Sequence, residues 1–290
     1  MLWILTGYYR RKKYFDQAAH ILEEVDQRYL LGELLPSSPY LEDRLYRDMI
    51  RRSNKSVIER IREIEEEQKD YRDYIESWVH EIKAPITSIQ LACENHKEEV
   101  TRQISLENQR IENDVDMVLY YARMEKVYKD YMIEETNLGK AASEIFMKNK
   151  YYLISSGVHG EVACPDHVYT DKKWILFILN QLVLNSVKYK KQDVDEHPYI
   201  RIYTERYGHG VRLVVEDNGT GIRTEELSRI FEKGFTGSNG RNGKKSTGMG
   251  LYLCQKLCEK LGISIEAESV LGEGTKMILT FPVSSYLSKM

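Results

Sequence analysis

The chain has 290 residues and a formal net charge of −3, and 30% of its residues are charged. This length accommodates about two domains, each large enough for a core of its own. The near-neutral balance argues against a nucleic-acid partner, because nucleic-acid-binding surfaces are usually strongly basic. The four cysteines form no CxxC pair, and Cys254 and Cys258 have no histidine or third cysteine nearby in the sequence. We therefore predict reduced, packed thiols in a cytosolic protein.

The first residues are typical of the edge of a membrane span. An apolar run at 1–5 is followed at 8–13 by two tyrosines and four cations. Such a short run cannot cross a hydrocarbon core, which needs about twenty residues, but aromatic residues beside a basic cluster mark the cytoplasmic edge of a span. We expect a largely soluble chain on the cytoplasmic side of a membrane, with its spans upstream of residue 1. The alternative is the frayed, basic terminus of a soluble protein.

Helical patterns dominate up to about residue 130. They cover 14–31, stop at a linker with proline and serine at 32–39, and resume from Tyr40 to about Cys93, with a break around 53–54. In the second stretch, apolar or bulky residues step alternately by four and three, which defines a heptad seam. The seam consists of Val57, Ile61, Ile64, Tyr71, Ile75, Trp78, Ile82 and Ile89.

A second seam follows a polar turn near residues 94–99. Two seams joined by a turn predict a helical hairpin. Because one hairpin covers its apolar stripes poorly, we expect two copies to form a four-helix bundle in a homodimer. A monomeric hairpin packed on the second domain is the alternative. The second seam consists of Ile104, Asn108, Ile111, Val115, Val118 and Ala122.

The helical stretch that carries the first seam contains a histidine followed at once by an acid, His80 and Glu81, with Pro85 five residues after the histidine. Trp78 and Ile82 lie on the seam, so His80 is turned toward its flank, where an imidazole on a rigid helix can reach another domain. Pro85 lacks a backbone donor and should kink the helix. A lone histidine beside a glutamate is more often an ordinary surface residue.

After about residue 130, glycines, short β-type runs and separated helices replace the charged helices. Because they follow no repeating βαβ order, they predict an α+β sandwich rather than a doubly wound sheet. The predicted strands are 161–164, 199–205, 211–217, 263–268 and 276–282. The predicted helices are 138–149, 172–190, 225–231 and 250–261.

Four motifs in this second half can form a nucleotide site, although each is weak alone. Helix 181–189 carries amides that suit Mg²⁺, a lysine that suits phosphate and a tyrosine with a flat face for a base, but it is also an ordinary amphipathic helix. Segment 214–222 ends a strand with an acid and two glycines that permit close backbone approach, a pattern also common in turns. The glycine-rich start of a helix at 246–251 suits phosphates. A glycine-rich turn at 272–275 precedes the last strand.

The segment 237–245 is rich in glycine and cations and contains almost no apolar residues. A flexible cationic loop beside a phosphate site can serve as a lid. A plain solvated insertion is the alternative.

In their order and spacing, these motifs and the sequence His80-Glu81-x-x-x-Pro85 resemble the sensor histidine kinases of two-component systems. Residues 55–130 resemble the all-α dimerisation and phosphotransfer hairpin, and residues 136–286 resemble the α+β catalytic ATP-binding domain of the histidine kinase, gyrase and Hsp90 type. Residues 1–54 then form a membrane-proximal segment and linker. Within the family, this chain resembles the intramembrane-sensing kinases that respond to antimicrobial peptides such as bacitracin.

The resemblance implies an activity and its partners. We expect ATP-dependent autophosphorylation on His80, followed by phosphoryl transfer to an aspartate of a response regulator. Glu81 is implied to orient or deprotonate the ring of His80. The cofactors implied are ATP and Mg²⁺, and the subfamily implies an ABC transporter permease as a further partner.

The resemblance also implies the residues of the nucleotide site. Asn185 coordinates Mg²⁺, with Gln181 in place of a second asparagine, and Lys188 contacts phosphate. Tyr189 stacks on adenine, and Asp217 accepts a hydrogen bond from its amino group. The remaining implied site residues are Gly219, Gly221, Phe231, Thr247, Gly248, Gly250 and Thr275.

Two positions depart from the pattern. Gln181 keeps an amide group on a side chain one methylene longer than that of asparagine. Ala84 stands four residues after His80, where relatives that dephosphorylate their partner carry threonine or asparagine to position a water. We therefore predict kinase activity with weak phosphatase activity.

Two other functions compete with this one. An ATP-driven clamp or serine-directed kinase shares the nucleotide fold but lacks a heptad hairpin carrying the His80 motif. A non-enzymatic dimeric ATP-binding scaffold is the second alternative, and the presence of Asn185, Asp217 and the glycines argues against it.

Overall fold

The structure is a computed structural model that describes residues 2–96, 98–124, 132–191, 197–208, 210–237 and 247–282. Two compact units make up the chain, residues 1–74 and 75–290. The domain boundaries predicted at 54/55 and 130/136 do not coincide with this division and stay predictions. Within the described ranges, no helix is both long and apolar enough to cross a lipid bilayer. The proposed lid at 237–245 lies outside the described residues, apart from Gly237.

The first unit contains helix α1 (Leu2–Glu24), a 3₁₀ turn at 28–30, helix α2 (Leu31–Leu34) and the first part of helix α3 (Leu41–Asn95). The first helix thus ends well before residue 31, the predicted limit, and the predicted linker includes the short α2. Acidic side chains occupy the first turn of α3, where they complement the helix dipole.

Helix α3 is continuous over 55 residues, so the break predicted around Ser53 and Asn54 is wrong. Neither residue is a strong helix breaker such as glycine or proline. The Ser56 hydroxyl donates to the carbonyl oxygen of Ser53 at 2.9 Å, which satisfies a nearby polar side chain within the helix. The helix also continues through Pro85.

In the second unit, the end of α3 and helix α4 (Glu99–Arg123) form a hairpin. A capping box between Glu98 and Thr101 starts α4, and the turn falls within the predicted 94–99. The buried contact between the helices consists of Val79, Ile86, Val115 and Leu119, with Ile75 and Ile82 packed against them.

This buried contact includes Val115, Ile75 and Ile82 of the predicted seams and differs from the seams elsewhere. Val79 and Ile86 are buried, whereas the predicted seam residues Trp78 and Ile89 are 41% and 42% exposed. On α4, Ile104, Ile111 and Val118 are likewise exposed. Each helix therefore carries two apolar stripes, one that faces the other helix of the hairpin and one that is exposed. The predicted seams combined residues of both stripes into one.

The rest of the second unit is a two-layer α+β domain, as the sequence predicts. Its five-stranded sheet has the order β2-β4-β5-β7-β6, in which β2 and β4 are parallel and all other neighbours are antiparallel. The strands are β2 (His159–Ala163), β4 (Tyr199–Tyr207), β5 (Gly210–Asp217), β6 (Ser264–Val270) and β7 (Gly274–Phe281). A separate antiparallel pair joins β1 (Glu134–Asn137) to β3 (His167–Thr170).

Helices pack against this sheet around one core. They are α5 (Leu138–Lys148), α6 (Lys150–Ser155), α7 (Lys172–Lys188), α8 (Thr224–Leu227) and α9 (Gly250–Leu261). The central helix α7 is buried along most of its length, because Ile175, Ile178 and Leu182 meet both the sheet and the neighbouring helices. The core also includes Cys254 and Cys258, which are free thiols. Burial raises the pKa of the Cys258 thiol to about 12.

Candidate functional site

A cavity of about 620 Å³ opens in the second unit where α7, the end of β5, the loop before α9 and the start of β7 meet. This volume suits a small-molecule ligand. Ten of the predicted site residues line it: Gln181, Asn185, Lys188, Tyr189, Asp217, Gly221, Thr247, Gly248, Gly250 and Thr275. Gly219 and Phe231 do not line it, and neither do His80 and Glu81.

Helix α7 supplies one wall of the cavity. Asp171 caps the helix, accepting from the backbone nitrogens of Lys173 and Trp174 at 2.8 and 3.2 Å. Steps of four and three place Gln181, Asn185 and Lys188 on one face of the helix. The face therefore presents two amides and one cation to the same cavity.

Asp217 ends β5 at the back of the cavity. Its carboxylate accepts a hydrogen bond from the Ser186 hydroxyl at 2.7 Å and another from the backbone nitrogen of Gly219 at 2.9 Å. Burial raises the pKa of this carboxyl, and the bonds from Ser186 and Gly219 partly oppose the rise. Gly219 thus acts behind the cavity wall by holding Asp217.

Two glycines allow backbone segments at the cavity to approach each other closely. Gly221 has φ +67°, and a Cβ there would lie 2.0 Å from the carbonyl oxygen of Val270. Gly248 has φ +65°, and its Cβ would lie 2.4 Å from the carbonyl carbon of Gly234. Both positions combine a left-handed conformation with a backbone contact that leaves no room for a side chain.

The two phenylalanines near the cavity have different places. Phe231 packs against the hydrophobic core, whereas Phe235 lines the cavity. The Arg229 guanidinium lies 4.6 Å from the centre of the Phe235 ring, a cation–π distance. The predicted site residue was Phe231, and the sequence alone could not tell that Phe235, four residues later, is the phenylalanine that faces the cavity.

Thr275 is held at the cavity by hydroxyl contacts at the start of β7. Its hydroxyl lies 2.9 Å from that of Ser269, and Ser269 donates to the carbonyl oxygen of Gly274 at 2.6 Å. The Ser269 oxygen also accepts from the backbone nitrogen of Ile222 at 2.9 Å. Ser269 therefore connects β6 to the start of β7 and to the loop after β5, a role that the sequence did not indicate.

Helix α4 forms a wall of the cavity that sequence analysis missed. The α4 residues that line the cavity are Leu106, Gln109, Arg110, Asn113, Asp114 and Met117. They lie off the predicted heptad seam, where polar residues ordinarily indicate a solvent-facing surface, so no sequence signal distinguished them.

His80 and Glu81 lie elsewhere, exposed on the surface of α3. The preceding residue, Val79, is fully buried in the hairpin. The Lys83 ammonium lies 2.7 Å from the Asp116 carboxylate of α4, and Arg123 pairs with Glu76 at 3.2 Å. Packing and ion pairs thus fix α3 on both sides of the exposed imidazole.

Comparisons with known proteins agree on the kind of protein this chain resembles. Residues 170–285 match the family described as Histidine kinase-, DNA gyrase B-, and HSP90-like ATPase. The sensor histidine kinase YxdK of Bacillus subtilis (strain 168) is 31% identical over 288 residues, which are 97% of this chain and 85% of the relative. The sensor protein kinase GraS of Staphylococcus aureus (strain Newman) is 32% identical over 291 residues, 98% of this chain and 80% of the relative.

A solved structure shares the fold. Full-length ShkA in complex with AMPPNP has a TM-score of 0.53 and 18% sequence identity, with 72% of this chain and 45% of ShkA covered. At this identity the likeness concerns the fold alone.

Proposed function

Because this chain belongs to the sensor histidine kinases, we propose that it transfers the γ-phosphoryl group of ATP to His80 and then to an aspartate of a response regulator. The observation that carries this proposal is the cavity, which gathers ten residues of separate sequence motifs around one space of nucleotide size. An exposed histidine on a rigid helix completes the set of groups that the reaction needs.

The cavity suits a nucleotide at both ends. At one end, the half-buried Asp217 carboxylate can accept from an exocyclic amine, and Tyr189 can offer its ring face to a base. At the other end, beside Gln181, the backbone at Gly248 and Gly250 suits phosphates. Lys188, whose ammonium lies 5.7 Å from the centre of the Tyr189 ring, can also meet phosphate. We assign adenine to the first end and the triphosphate to the second.

Asn185 would hold Mg²⁺, since an amide oxygen is among the ligands this ion takes from proteins and phosphates usually complete its coordination. Bound there, Mg²⁺ supplies charge neutralisation to the phosphates. Gln181, which is buried beside Gly250, can support the same end of the cavity through its longer amide.

His80 and Glu81 would perform the chemical step. An imidazole nitrogen attacks the γ-phosphorus, a nitrogen–phosphorus bond forms, and the bond from the γ-phosphorus to the bridging oxygen breaks, so that ADP leaves with the electron pair. The neighbouring carboxylate of Glu81 can take the proton of the other ring nitrogen. Neither residue lines the cavity, so the reaction requires the cavity and a His80 side chain to approach each other.

The open apolar stripe of the hairpin supports a homodimer. Replacing Ile111, which is 51% exposed on α4, by glutamate would place a charge in the interface of a four-helix bundle. We expect the dimer dissociation constant to rise at least about tenfold. Sedimentation equilibrium measures the change, and Gln103→Glu adds the same charge at an exposed α4 position off the stripe. An unchanged dimer in Ile111→Glu contradicts this interface.

Ala84 leads to a prediction about the phosphatase activity of the protein. It lies one turn after His80 and is exposed, but its methyl group cannot position a water molecule. We expect the chain to remove phosphate from a phosphorylated receiver only slowly, and Ala84→Thr to accelerate that removal by roughly tenfold, an effect of the size that one positioned polar group gives.

Phosphate release from a labelled receiver in the presence of Mg²⁺ measures this rate. Ala84→Val is the matched control, because valine has the shape of threonine without its hydroxyl. Rapid Mg²⁺-dependent release by the unmodified chain would contradict the expectation.

We place the protein at the cytoplasmic face of a membrane, with an ABC transporter permease as a partner. The apolar, aromatic and basic run at the N-terminus supports the first part, and Tyr8 and Tyr9 are exposed on α1. The second part rests on the subfamily resemblance.

The proposed function is tested by incubating the purified chain with Mg²⁺ and γ-labelled ATP. An acid-labile, base-stable label on the protein supports a histidine kinase, and passage of that label to a receiver domain supports the second step. Measurable ATP binding without any label would favour the alternative, a nucleotide-binding scaffold.

A further inference from the structure

Four side-chain amides form a hydrogen-bonded relay between α4 and the catalytic domain. Gln109 on α4 donates to the Asn149 side chain at 3.3 Å and to the Lys148 carbonyl oxygen at 3.0 Å. Asn149 donates to Asn180 at 2.8 Å, and Asn180 donates back to Asn113 on α4 at 3.1 Å. The relay begins and ends on two α4 residues that lie one helical turn apart.

The relay is buried, which makes it a strong constraint. Asn149, Asn180 and Asn113 are only 0%, 6% and 7% exposed. Buried polar groups are nearly always hydrogen-bonded, and leaving one unpaired is unfavourable. The amides therefore hold α4 in one position against α7, and α4 can leave only if water replaces these bonds.

Aromatic contacts continue the same interface. The Tyr120 ring of α4 lies 4.0 Å from the Phe177 ring and 5.5 Å from the Trp174 ring, measured between ring centres. One residue further, the Tyr121 hydroxyl accepts from the Lys233 ammonium at 2.7 Å. The docked position of α4 is thus fixed by both polar and apolar contacts.

The docked α4 places a carboxylate, that of the exposed Asp114, on the wall of the cavity. Asp114 follows the relay residue Asn113 and lines the cavity together with Lys188. Burial raises the pKa of Asp114, and the charge of Lys188 opposes that rise, so the two groups interact electrostatically. Arg110 also lines the cavity, but its guanidinium pairs with Glu107.

We propose that α4 is a latch on the nucleotide site, in which the amide relay docks the catalytic domain and Asp114 shares with Lys188 the wall of the cavity in which the polyphosphate would bind. The latch rests on the proposed function, because it assumes that ATP occupies this cavity. Repulsion between the Asp114 carboxylate and the phosphates makes ATP binding and docking mutually unfavourable. By reciprocity, ATP binding weakens the docked state and frees the catalytic domain to approach a His80 side chain.

The charge of Asp114 is tested in the full chain by comparing Mg²⁺-ATP, ADP and adenosine as ligands in calorimetric titrations. We expect Asp114→Asn to tighten ATP binding roughly threefold to tenfold, as removal of one charge near a polyphosphate predicts. ADP should gain less, and adenosine nothing. Glu112→Gln removes the same charge from an α4 position that does not line the cavity, and it should leave all three affinities unchanged.

The docking is tested by hydrogen exchange of α4 amides between residues 106 and 120. We expect saturating Mg²⁺-ATP to speed exchange there in the unmodified chain. Asn180→Ala, which breaks the relay from a position outside the cavity, should speed exchange without nucleotide and tighten ATP binding. A melting curve confirms that this variant is folded; if it is not, Asn180→Ser, which is neutral and also removes the amide, serves in its place.

The outcomes distinguish a failure of the latch from a failure of the proposed kinase function. Unchanged or weaker ATP binding by Asp114→Asn overturns the latch, since a weaker affinity would make Asp114 a ligand of the metal. An equal gain for adenosine also overturns it, because adenosine has no phosphate to repel. If the unmodified chain binds no ATP at all, the proposed function fails and the latch fails with it.

Discussion

Replacing His80 by glutamine should remove the phosphoryl label from the chain while leaving ATP affinity unchanged. Glutamine fills similar space on α3 but offers no ring nitrogen as a nucleophile, and loss of a nucleophile lowers rates by far more than roughly a thousandfold. ATP affinity should not change, because His80 is exposed and does not line the cavity. Labelling by γ-labelled ATP and a parallel ATP titration measure the two effects.

A second exposed histidine provides the control. His96 lies at the turn of the hairpin, just after α3 ends at Asn95, and His96→Gln should keep the full label. A residual acid-labile label on His80→Gln would show that another histidine accepts the phosphoryl group. Loss of ATP binding in the same variant would mean that His80 supports the cavity, contrary to its position in the structure.

The sequence predicted elements with a strong local pattern and missed those that depend on distant partners. The predicted helix 250–261 has the same limits as α9 (Gly250–Leu261), whose left-handed Gly262 ends it. Strand β1 was missed because its residues, Glu134–Asn137, are all polar, and only Thr136 among them favours strands. They are extended because they pair with β3, more than thirty residues later, in the register Glu134 to Thr170.

The candidate site shows the same division. Residues in glycine-rich or amide-bearing motifs, such as Asn185 and Gly248, could be predicted because the chemistry requires those residue types at fixed spacing. The α4 wall could not, because Gln109 and Asn113 look like solvated positions of a heptad until the catalytic domain is seen to pack there. Tertiary packing, which periodicity within one helix does not encode, decides which polar face is buried.

Asp217 combines a cost in stability with a proposed gain in binding. Its pKa is raised by burial, so the folded state holds a proton more tightly than the unfolded state. The stabilising contribution of that proton is present at low pH and is lost as the pH rises through the raised pKa, so at neutral pH the buried charge destabilises the fold. We infer that the charge is kept because it binds the amino group of the base.

Asp217→Asn should therefore weaken ATP binding without lowering thermal stability. The amide oxygen can keep the bond from the Gly219 nitrogen while the NH₂ donates to the Ser186 hydroxyl, which can accept as well as donate. The charged acceptor for the amino group of the base is nevertheless lost. A hydrogen bond to a charged group contributes about 1.5–3 kcal/mol, which corresponds to a loss of affinity of roughly tenfold to a hundredfold. ATP affinity of the unmodified chain should also fall as the pH drops through the raised pKa, because a protonated carboxyl loses its acceptor charge.

Calorimetric titration with ATP between pH 5 and 8 and a melting curve test this pair of effects. Glu216→Gln is the matched control, since Glu216 is the preceding residue of β5, points to the other face of the strand and pairs with Lys276 at 3.5 Å. It should leave ATP affinity within about twofold, because its carboxylate is not part of the cavity. If Asp217→Asn melts earlier and binds ATP as tightly as before, Asp217 stabilises the turn after β5 and does not recognise the base.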